Sequence, residues 1–168
     1  WVRIARIQLE QKPFATSFVD GTRPHGILKF TNPPIPLDNF VINFWFKPTR
    51  YPSQTGEWLH LVDVVYNSSA GYGVLKVGFD LSKEIGKWHM LTLISHGSVV
   101  DVYIDGEKRV SEINDFQRSV IRYIVFGRES GEQNGFLMSN LLFASYDPAI
   151  WTDSYIRFLY EARKPFFV

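Results

Sequence analysis

The chain has 168 residues, a length typical of a single domain, and no cysteine, which excludes disulfides, thiolate metal sites and cysteine nucleophiles. Its 18 Lys and Arg residues balance its 17 Asp and Glu residues, so the net charge of +1 gives no electrostatic footprint for nucleic acid. No apolar run approaches the roughly 20 residues that a membrane-spanning helix needs, so we expect neither nucleic acid nor membrane as a partner.

The first 23 residues are predicted to lie outside the compact domain. The chain begins at Trp1 rather than Met and shows no signal-like start, so we expect it to be a piece of a longer polypeptide. Pro13, Gly21 and Pro24 interrupt this stretch in the manner of a boundary. The alternative is that this segment contributes an ordinary first strand to the domain that follows.

Short runs rich in β-branched and aromatic residues follow, separated by turn signals. They predict strands over residues 40–47, 58–66, 72–79, 88–95, 99–104, about 107–112, 121–127 and 136–144. In the first run, Trp45 alternates with Phe44 and Phe46, so these rings are expected on opposite faces. Strands at this spacing indicate an all-β fold, a two-sheet antiparallel β-sandwich of the jelly-roll kind.

Two turns connect consecutive strands in the middle of the chain. Asp105-Gly106 is a strong signal for a two-residue type I′ hairpin, and Gly97 marks another tight turn. The strand between them should place Val100, Val102 and Ile104 toward the core. Its other face, which carries Val99, Asp101 and Tyr103, is expected to be more exposed to solvent.

One short C-terminal helix completes the predicted elements. Thr152 is a suitable N-cap, and the Asp153 carboxylate suits the positive end of the helix dipole. Pro165 should end the helix. Its apolar stripe, which is expected to pack against a sheet, consists of Ile156, Leu159 and Tyr160.

Five short strings in order carry a family resemblance: residues 43–48 (NFWFKP), 87–90 (KWHM), 102–106 (VYIDG), 124–127 (IVFG), and 139–141 (SNL) with 156–160 (IRFLY). Together they resemble LamG-like modules of the concanavalin A-like lectin/glucanase superfamily, over about residues 26–163. The resemblance implies a concanavalin A-like jelly roll. It does not choose a function, because this sandwich serves lectins, glycosidases and structural modules.

A second resemblance lies at the front. Residues 7–23 (IQLEQKPFATSFVDGTR) are similar to the junction between modules in phage tail and minor structural proteins. This resemblance implies that residues 1–23 are the tail of an upstream module with its linker, and that residues 24–168 form the LamG-like domain.

The acidic residues do not form a catalytic pair. The nearest match to the alternating carboxylates of related glycosidases is Asp101 and Asp105, about 13 Å apart along a strand, whereas a retaining pair needs roughly 5.5 Å. The four histidines show no metal-binding spacing, and the loop acids form no recognisable calcium pattern. We therefore expect no catalytic residue and no cofactor, although a calcium site from converging loops stays open.

Aromatic residues make up 16% of the chain, which suits either a β-rich core or a surface on which sugars stack. The candidate ligand-binding residues are Tyr66, Asn67, Tyr72, Asp101 and Tyr103. The alternative for each ring is simple packing. With the resemblances, these residues predict a non-enzymatic structural or adhesion module of a phage virion, from a tail, fibre or head decoration. Its partners would be other virion proteins, copies of itself, or host-surface glycans.

Two alternatives remain for the function and the location. One is a glycan-binding module of a bacterial surface or secreted protein, which would place the chain outside the cell or on its surface rather than in a virion. The other is a glycosidase of the same fold.

Overall fold

The computed structural model describes residues 28–49, 59–68, 71–79, 85–113, 120–126 and 136–164. Residues 1–23, and with them the predicted module boundary, lie outside this set. The described elements are β1 (Leu28–Thr31), β2 (Asn39–Pro48), β3 (Leu59–Ser68), β4 (Gly71–Phe79), β5 (His89–His96), β6 (Val99–Ile104), β7 (Glu107–Ile113), β8 (Ile121–Phe126), β9 (Phe136–Ala144) and α1 (Asp153–Arg163).

The strands form two antiparallel sheets. One has four strands in the order β1-β8-β3-β4, and the other has five in the order β7-β6-β5-β2-β9. This arrangement confirms the predicted all-β sandwich with a short C-terminal helix. Eight of the strands match predicted runs, whereas β1, which pairs with β8, was not predicted.

The main core fills the space between the two sheets. Phe44 on β2 meets Phe126 on β8 with ring centroids 5.4 Å apart in an edge-on arrangement, which joins one sheet to the other. Phe46, Val100 and Ile104 lie in the same cluster, as the alternation predicted. Burying aliphatic and aromatic surface at about 25 cal/mol per Å² makes this layer the main source of stability.

A second apolar cluster lies on the other face of the five-stranded sheet, beneath α1. Trp45 packs there, with its ring stacked 5.7 Å from that of Tyr160. The cluster is formed by Val41, Trp45, Met90, Ile94, Tyr103, Trp151, Ile156 and Leu159. The domain therefore has three layers: the four-stranded sheet, the five-stranded sheet and the helix. The helix packs on the face that was predicted to be more exposed to solvent.

The helix begins as its sequence predicts. The Thr152 hydroxyl accepts a hydrogen bond from the backbone N–H of Tyr155 at 3.2 Å, and Asp153 occupies the first turn. The helix ends at Arg163, and Pro165 lies outside the described residues. No helix in the described part of the chain has the length and apolar character needed to traverse a bilayer.

The β6–β7 turn fixes how closely the helix approaches. Asp105 and Gly106 have φ values of 55° and 81°, as a type I′ turn requires. A Cβ on Gly106 would lie 3.1 Å from Arg157 Cα and 3.1 Å from Tyr160 Cβ. Glycine is thus needed both for the turn conformation and for room beneath the helix.

Candidate functional site

Two of the predicted site residues, Asp101 and Tyr103, are buried on the outer face of the five-stranded sheet. Asp101 is 6% exposed and Tyr103 is 2% exposed. The expectation that this face is exposed to solvent was therefore wrong here, because strand alternation cannot register what packs on a face: α1 covers Tyr103, and side chains of β5 and β7 surround Asp101. A ring this buried offers no face on which a sugar could stack.

Asp101 is the centre of a polar network. Its Oδ1 accepts a hydrogen bond from Ser111 Oγ at 2.6 Å, while its Oδ2 lies 2.9 Å from His96 Nε2 and 3.1 Å from Lys108 Nζ. Burial raises the pKa of the Asp101 carboxyl, but the hydrogen bonds from these partners outweigh it and lower that pKa below its ordinary value. The network binds the β6–β7 hairpin to β5 and leaves the carboxylate committed to internal partners.

Tyr103 links the sheet to the helix. Its hydroxyl donates a hydrogen bond to Asp153 Oδ1 at 2.7 Å. Burial, with the bond to Asp153, raises the pKa of the Tyr103 phenol to about 12. The residue therefore acts as a structural connection between β6 and the first turn of α1.

Asp105 does not join Asp101 in an acid pair. Its Oδ2 lies 2.7 Å from His89 Nδ1, and its Oδ1 accepts a hydrogen bond from the backbone N–H of Met90 at 2.9 Å. Each of the two carboxylates thus belongs to a different network that fastens the hairpin. No group of three or more His, Asp or Glu side chains in the described ranges is arranged to hold a metal ion.

The remaining predicted residues lie on the β3–β4 hairpin of the four-stranded sheet. Tyr66 is half-buried against the main core, and Asn67 is exposed and paired with Tyr72 in the ladder. The side chain of Tyr72 lies outside the described set. A ligand-binding role for Tyr66, Asn67 and Tyr72 stays a prediction.

A pocket lies on the outer face of the five-stranded sheet, between β9 and α1, and we call it the helix pocket. It is an open cleft with a volume of about 560 Å³, within the size range of small-ligand sites. Its described lining residues are Asn43, Asn140, Leu141, Leu142, Trp151, Tyr155, Leu159 and Arg163. None of them was among the predicted site residues.

A β-bulge in β9 shapes one wall of the pocket. The β2–β9 register passes from Asn43↔Leu142 to Trp45↔Ser139, so Phe44 faces two residues, Asn140 and Leu141. Asn140 adopts a φ of 52°, a left-handed conformation that asparagine tolerates better than most residues. The bulge exposes Asn140 and Leu142 at the pocket while Leu141 packs against the main core.

Asn43 forms a polar floor. It is 2% exposed, and its Nδ2 donates hydrogen bonds to Thr92 Oγ1 at 2.7 Å and to the Leu91 carbonyl at 3.3 Å. The Leu91 carbonyl can only accept, which fixes the orientation of the amide. The Asn43 atom left to meet a ligand is therefore the acceptor Oδ1.

The opposite wall has four lining residues spaced four apart: Trp151, which precedes the N-cap Thr152, and Tyr155, Leu159 and Arg163 of α1. Trp151 and Tyr155 meet edge to face, with ring centroids 5.7 Å apart. Tyr155 in turn stacks on the ring of Phe158, which does not line the pocket. The wall thus offers an ordered aromatic surface ending in a cation.

Sequence reasoning missed this site for identifiable reasons. The helix stripe was assigned from the spacing of the apolar residues Ile156, Leu159 and Tyr160, a pattern that leaves out Tyr155 and Arg163. The sequence of β9 does contain a signal for the bulge. Its core-facing apolar residues lie at even positions first, Phe136 and Met138, and then at odd positions, Leu141 and Phe143. A regular strand would keep all core-facing residues on even or on odd positions, so the change indicates one extra residue, a bulge.

No protein-family model and no curated protein matches the chain. Its fold is similar to the binding domain of botulinum neurotoxin serotype G, at 14% identity and a TM-score of 0.56, covering 76% of this chain and 37% of that chain. It is also similar to the botulinum neurotoxin serotype D ligand binding domain, solved in complex with N-acetylneuraminic acid. That match has 16% identity and a TM-score of 0.57, and covers 82% of this chain and 39% of that chain.

These similarities establish the fold, which is compatible with the predicted lectin-like β-sandwich. At such identities they do not transfer a binding site, and the chain spans less than half the length of those domains.

Proposed function

We propose that the chain is a non-enzymatic glycan-binding module and that the helix pocket is its sugar-binding site. The observation that carries the proposal is the combination of aromatic walls with amide and guanidinium groups in one pocket. Sugars stack their C–H faces on rings, and their hydroxyls need polar partners of fixed direction. Trp151 and Tyr155 supply the rings, while Asn43, Asn140 and Arg163 supply the polar groups.

The composition of the pocket argues against glycoside hydrolysis. That reaction needs two carboxyl groups on either side of the scissile bond, or a substitute nucleophile. None of the described lining residues is acidic, and Asp101 and Asp105 are each held by internal partners. Binding without turnover is the function that these groups support.

The structural neighbours add support for the ligand class. They are named as binding domains, and one was solved with N-acetylneuraminic acid. A sandwich of this architecture can therefore be part of a sugar-binding protein.

The test of the site uses a glycan array, followed by titration calorimetry with the glycans that bind. Tyr155→Ala should weaken binding about 5- to 30-fold, on the scale of 1–2 kcal/mol for one well-placed ring. The comparison variant is Phe158→Ala, which leaves the described pocket lining intact and removes only the ring on which Tyr155 stacks, so its loss should be smaller. Equal losses from both variants would contradict a direct contact between the sugar and Tyr155. Release of reducing sugar by the wild-type chain would contradict the non-enzymatic assignment.

The biological setting belongs to the same proposal. We place the module in a phage virion appendage, where partners would be other virion proteins, copies of itself and host-surface glycans. A bacterial surface or secreted protein is the alternative setting. One aromatic pocket gives weak affinity, and many copies in one particle multiply it. Glycan binding by assembled particles far above that of the isolated chain would support the virion setting.

The proposed boundary at residue 23 has its own test. Deletion of residues 1–23 should leave a folded domain with a similar melting temperature, because these residues are assigned to an upstream module. An unfolded product would mean that the segment belongs to the sandwich.

A further inference from the structure

The helix pocket has one formal charge among its described lining residues, and that charge is positive. Arg163 supplies it, and the other lining residues are asparagine, leucine, tryptophan and tyrosine. A neutral sugar needs no cation, since amides and backbone groups satisfy hydroxyls. The charge therefore bears on which sugars the pocket favours.

The Arg163 guanidinium forms no ion pair with any residue in the described ranges, whereas Lys108 pairs with Asp101 at 3.1 Å and Arg109 with Glu107 at 3.1 Å. Lys164, the next residue along, lies 5.2 Å from the centre of the Tyr160 ring. Arg163 thus keeps its planar set of N–H donors, which fits the oxygens of carboxylate and sulfate groups.

The negative end of the helix dipole neutralises part of the Arg163 charge but not all of it. Arg163 lies in the last turn, where the helix dipole is equivalent to roughly half a negative charge. A full positive charge outweighs that partial one. Glu161 is two residues away along the helix, a spacing that does not bring two side chains together.

The polar groups at the two ends of the pocket favour one orientation of a bound ligand. The floor has the acceptor Oδ1 of the buried Asn43, which suits a sugar hydroxyl and repels an anion. Arg163 is exposed at the other end of the aromatic wall, four residues beyond Leu159. A ligand is therefore best accommodated with a hydroxyl edge on the floor and a negative group beside Arg163.

From this arrangement we infer that the helix pocket selects anionic sugars, which carry a carboxylate or a sulfate, over their neutral counterparts. The inference rests on the proposed glycan-binding function and specifies its ligand class. The charge-assisted hydrogen bonds to Arg163 supply the selectivity, and the rings and amides supply the part of the affinity that both classes share.

The test compares matched oligosaccharides that end in glucose, in glucuronic acid or in 6-sulfated glucose, by titration calorimetry with the full chain. At least one anionic form should bind about tenfold more tightly than the neutral form, a ratio that falls as salt is raised. Whichever of the two anionic oligosaccharides binds more tightly shows whether the pocket prefers a carboxylate or a sulfate. Arg163→Gln should remove the preference, so that the anionic and neutral forms bind with similar affinities, and Arg163→Lys should restore part of it.

The control variant is Arg157→Gln, which removes an exposed cation of the same helix outside the pocket. Equal loss of the preference in Arg157→Gln would overturn the inference, because general surface charge would then explain it. If neutral and anionic sugars bind equally well, and Tyr155→Ala weakens the binding of both, the inference is overturned while the proposed function stands. No binding of any sugar on an array would overturn both.

Discussion

The two faces of the five-stranded sheet differ in what they bury. The inner face contributes Phe44, Phe46 and their neighbours to a core made of aliphatic and aromatic side chains. The outer face places Trp45 and Tyr103, which pack in the cluster beneath the helix, on the same side of the sheet as the buried polar residues Asn43, Thr92 and Asp101. The first arrangement maximises the burial of apolar surface. The second fixes polar groups in defined directions, and one of them, Asn43, lines the helix pocket.

This contrast assigns different roles to adjacent residues of one strand. Changes on the inner face should lower stability without a specific effect on the pocket. Changes on the outer face should alter the docking of the helix, and with it the pocket.

The largest effect is expected from Phe44→Ala on the inner face. Phe44 is fully buried and contacts the rings of Phe46, Phe126 and Phe136. Its truncation should lower the free energy of unfolding by about 3–5 kcal/mol, the usual range for a buried phenylalanine. Urea denaturation measures it, with Leu137→Ala as the control because Leu137 is 53% exposed. Similar losses from both would contradict the assignment of the core.

Gly106→Ala tests the attachment of the helix. Gly97→Ala is its matched control, since Gly97 also has a positive φ, of 60°, but no atom lies within 4 Å of the position that a Cβ would take there. Both substitutions strain the backbone by about 1–2 kcal/mol. Gly106→Ala should cost about 1 kcal/mol more, because its methyl group presses against Arg157 and Tyr160.

Only the Gly106 variant should also weaken sugar binding, since it displaces the wall of the pocket. Stability and calorimetric titration of the two variants check this. Indistinguishable variants would show that the helix is not held by close contact with the turn.

Asp101→Asn tests the polar network through pH. The pKa of Asp101 is lower in the folded protein than its ordinary value of 3.8, so the unfolded chain takes up the proton first as pH falls. The stabilisation by this carboxylate is present above about pH 4 and is lost on acidification. At pH 7 the variant should be less stable by about 1–2 kcal/mol, and the difference should shrink toward pH 2.5. Urea midpoints across this range measure it, and a difference independent of pH would contradict the role of the charge.

Tyr103→Phe should give the smallest effect, about 1 kcal/mol, from the loss of one hydrogen bond to Asp153. The stabilisation by Tyr103 is lost as pH rises, whereas the stabilisation by Asp101 is lost as pH falls. Because burial raises the pKa of Tyr103 to about 12, the unfolded chain loses this proton first as pH rises above about 10. Stability of the wild type should fall between pH 10 and 12 more steeply than that of the variant. Parallel curves would mean that the phenol is not buried as described.

Much of the fold could be predicted because its signals are local. Eight strands, the Asp105-Gly106 turn and the Thr152 cap follow from short-range rules of side-chain alternation, backbone conformation and hydrogen-bond geometry. The alternation also separated Phe44 and Phe46 from Trp45 correctly.

The candidate site could not be predicted in the same way. Alternation identified Asp101 and Tyr103 as a pair on the outer face, but only tertiary packing buries them: α1 covers Tyr103, and neighbouring strands surround Asp101. The pocket needs the bulge at Asn140 and the approach of Tyr155 and Arg163 from a helix distant in sequence from Asn43. The sequence by itself therefore determined the elements and their faces, whereas tertiary structure decided which faces meet, because burial depends on neighbours that no local pattern contains.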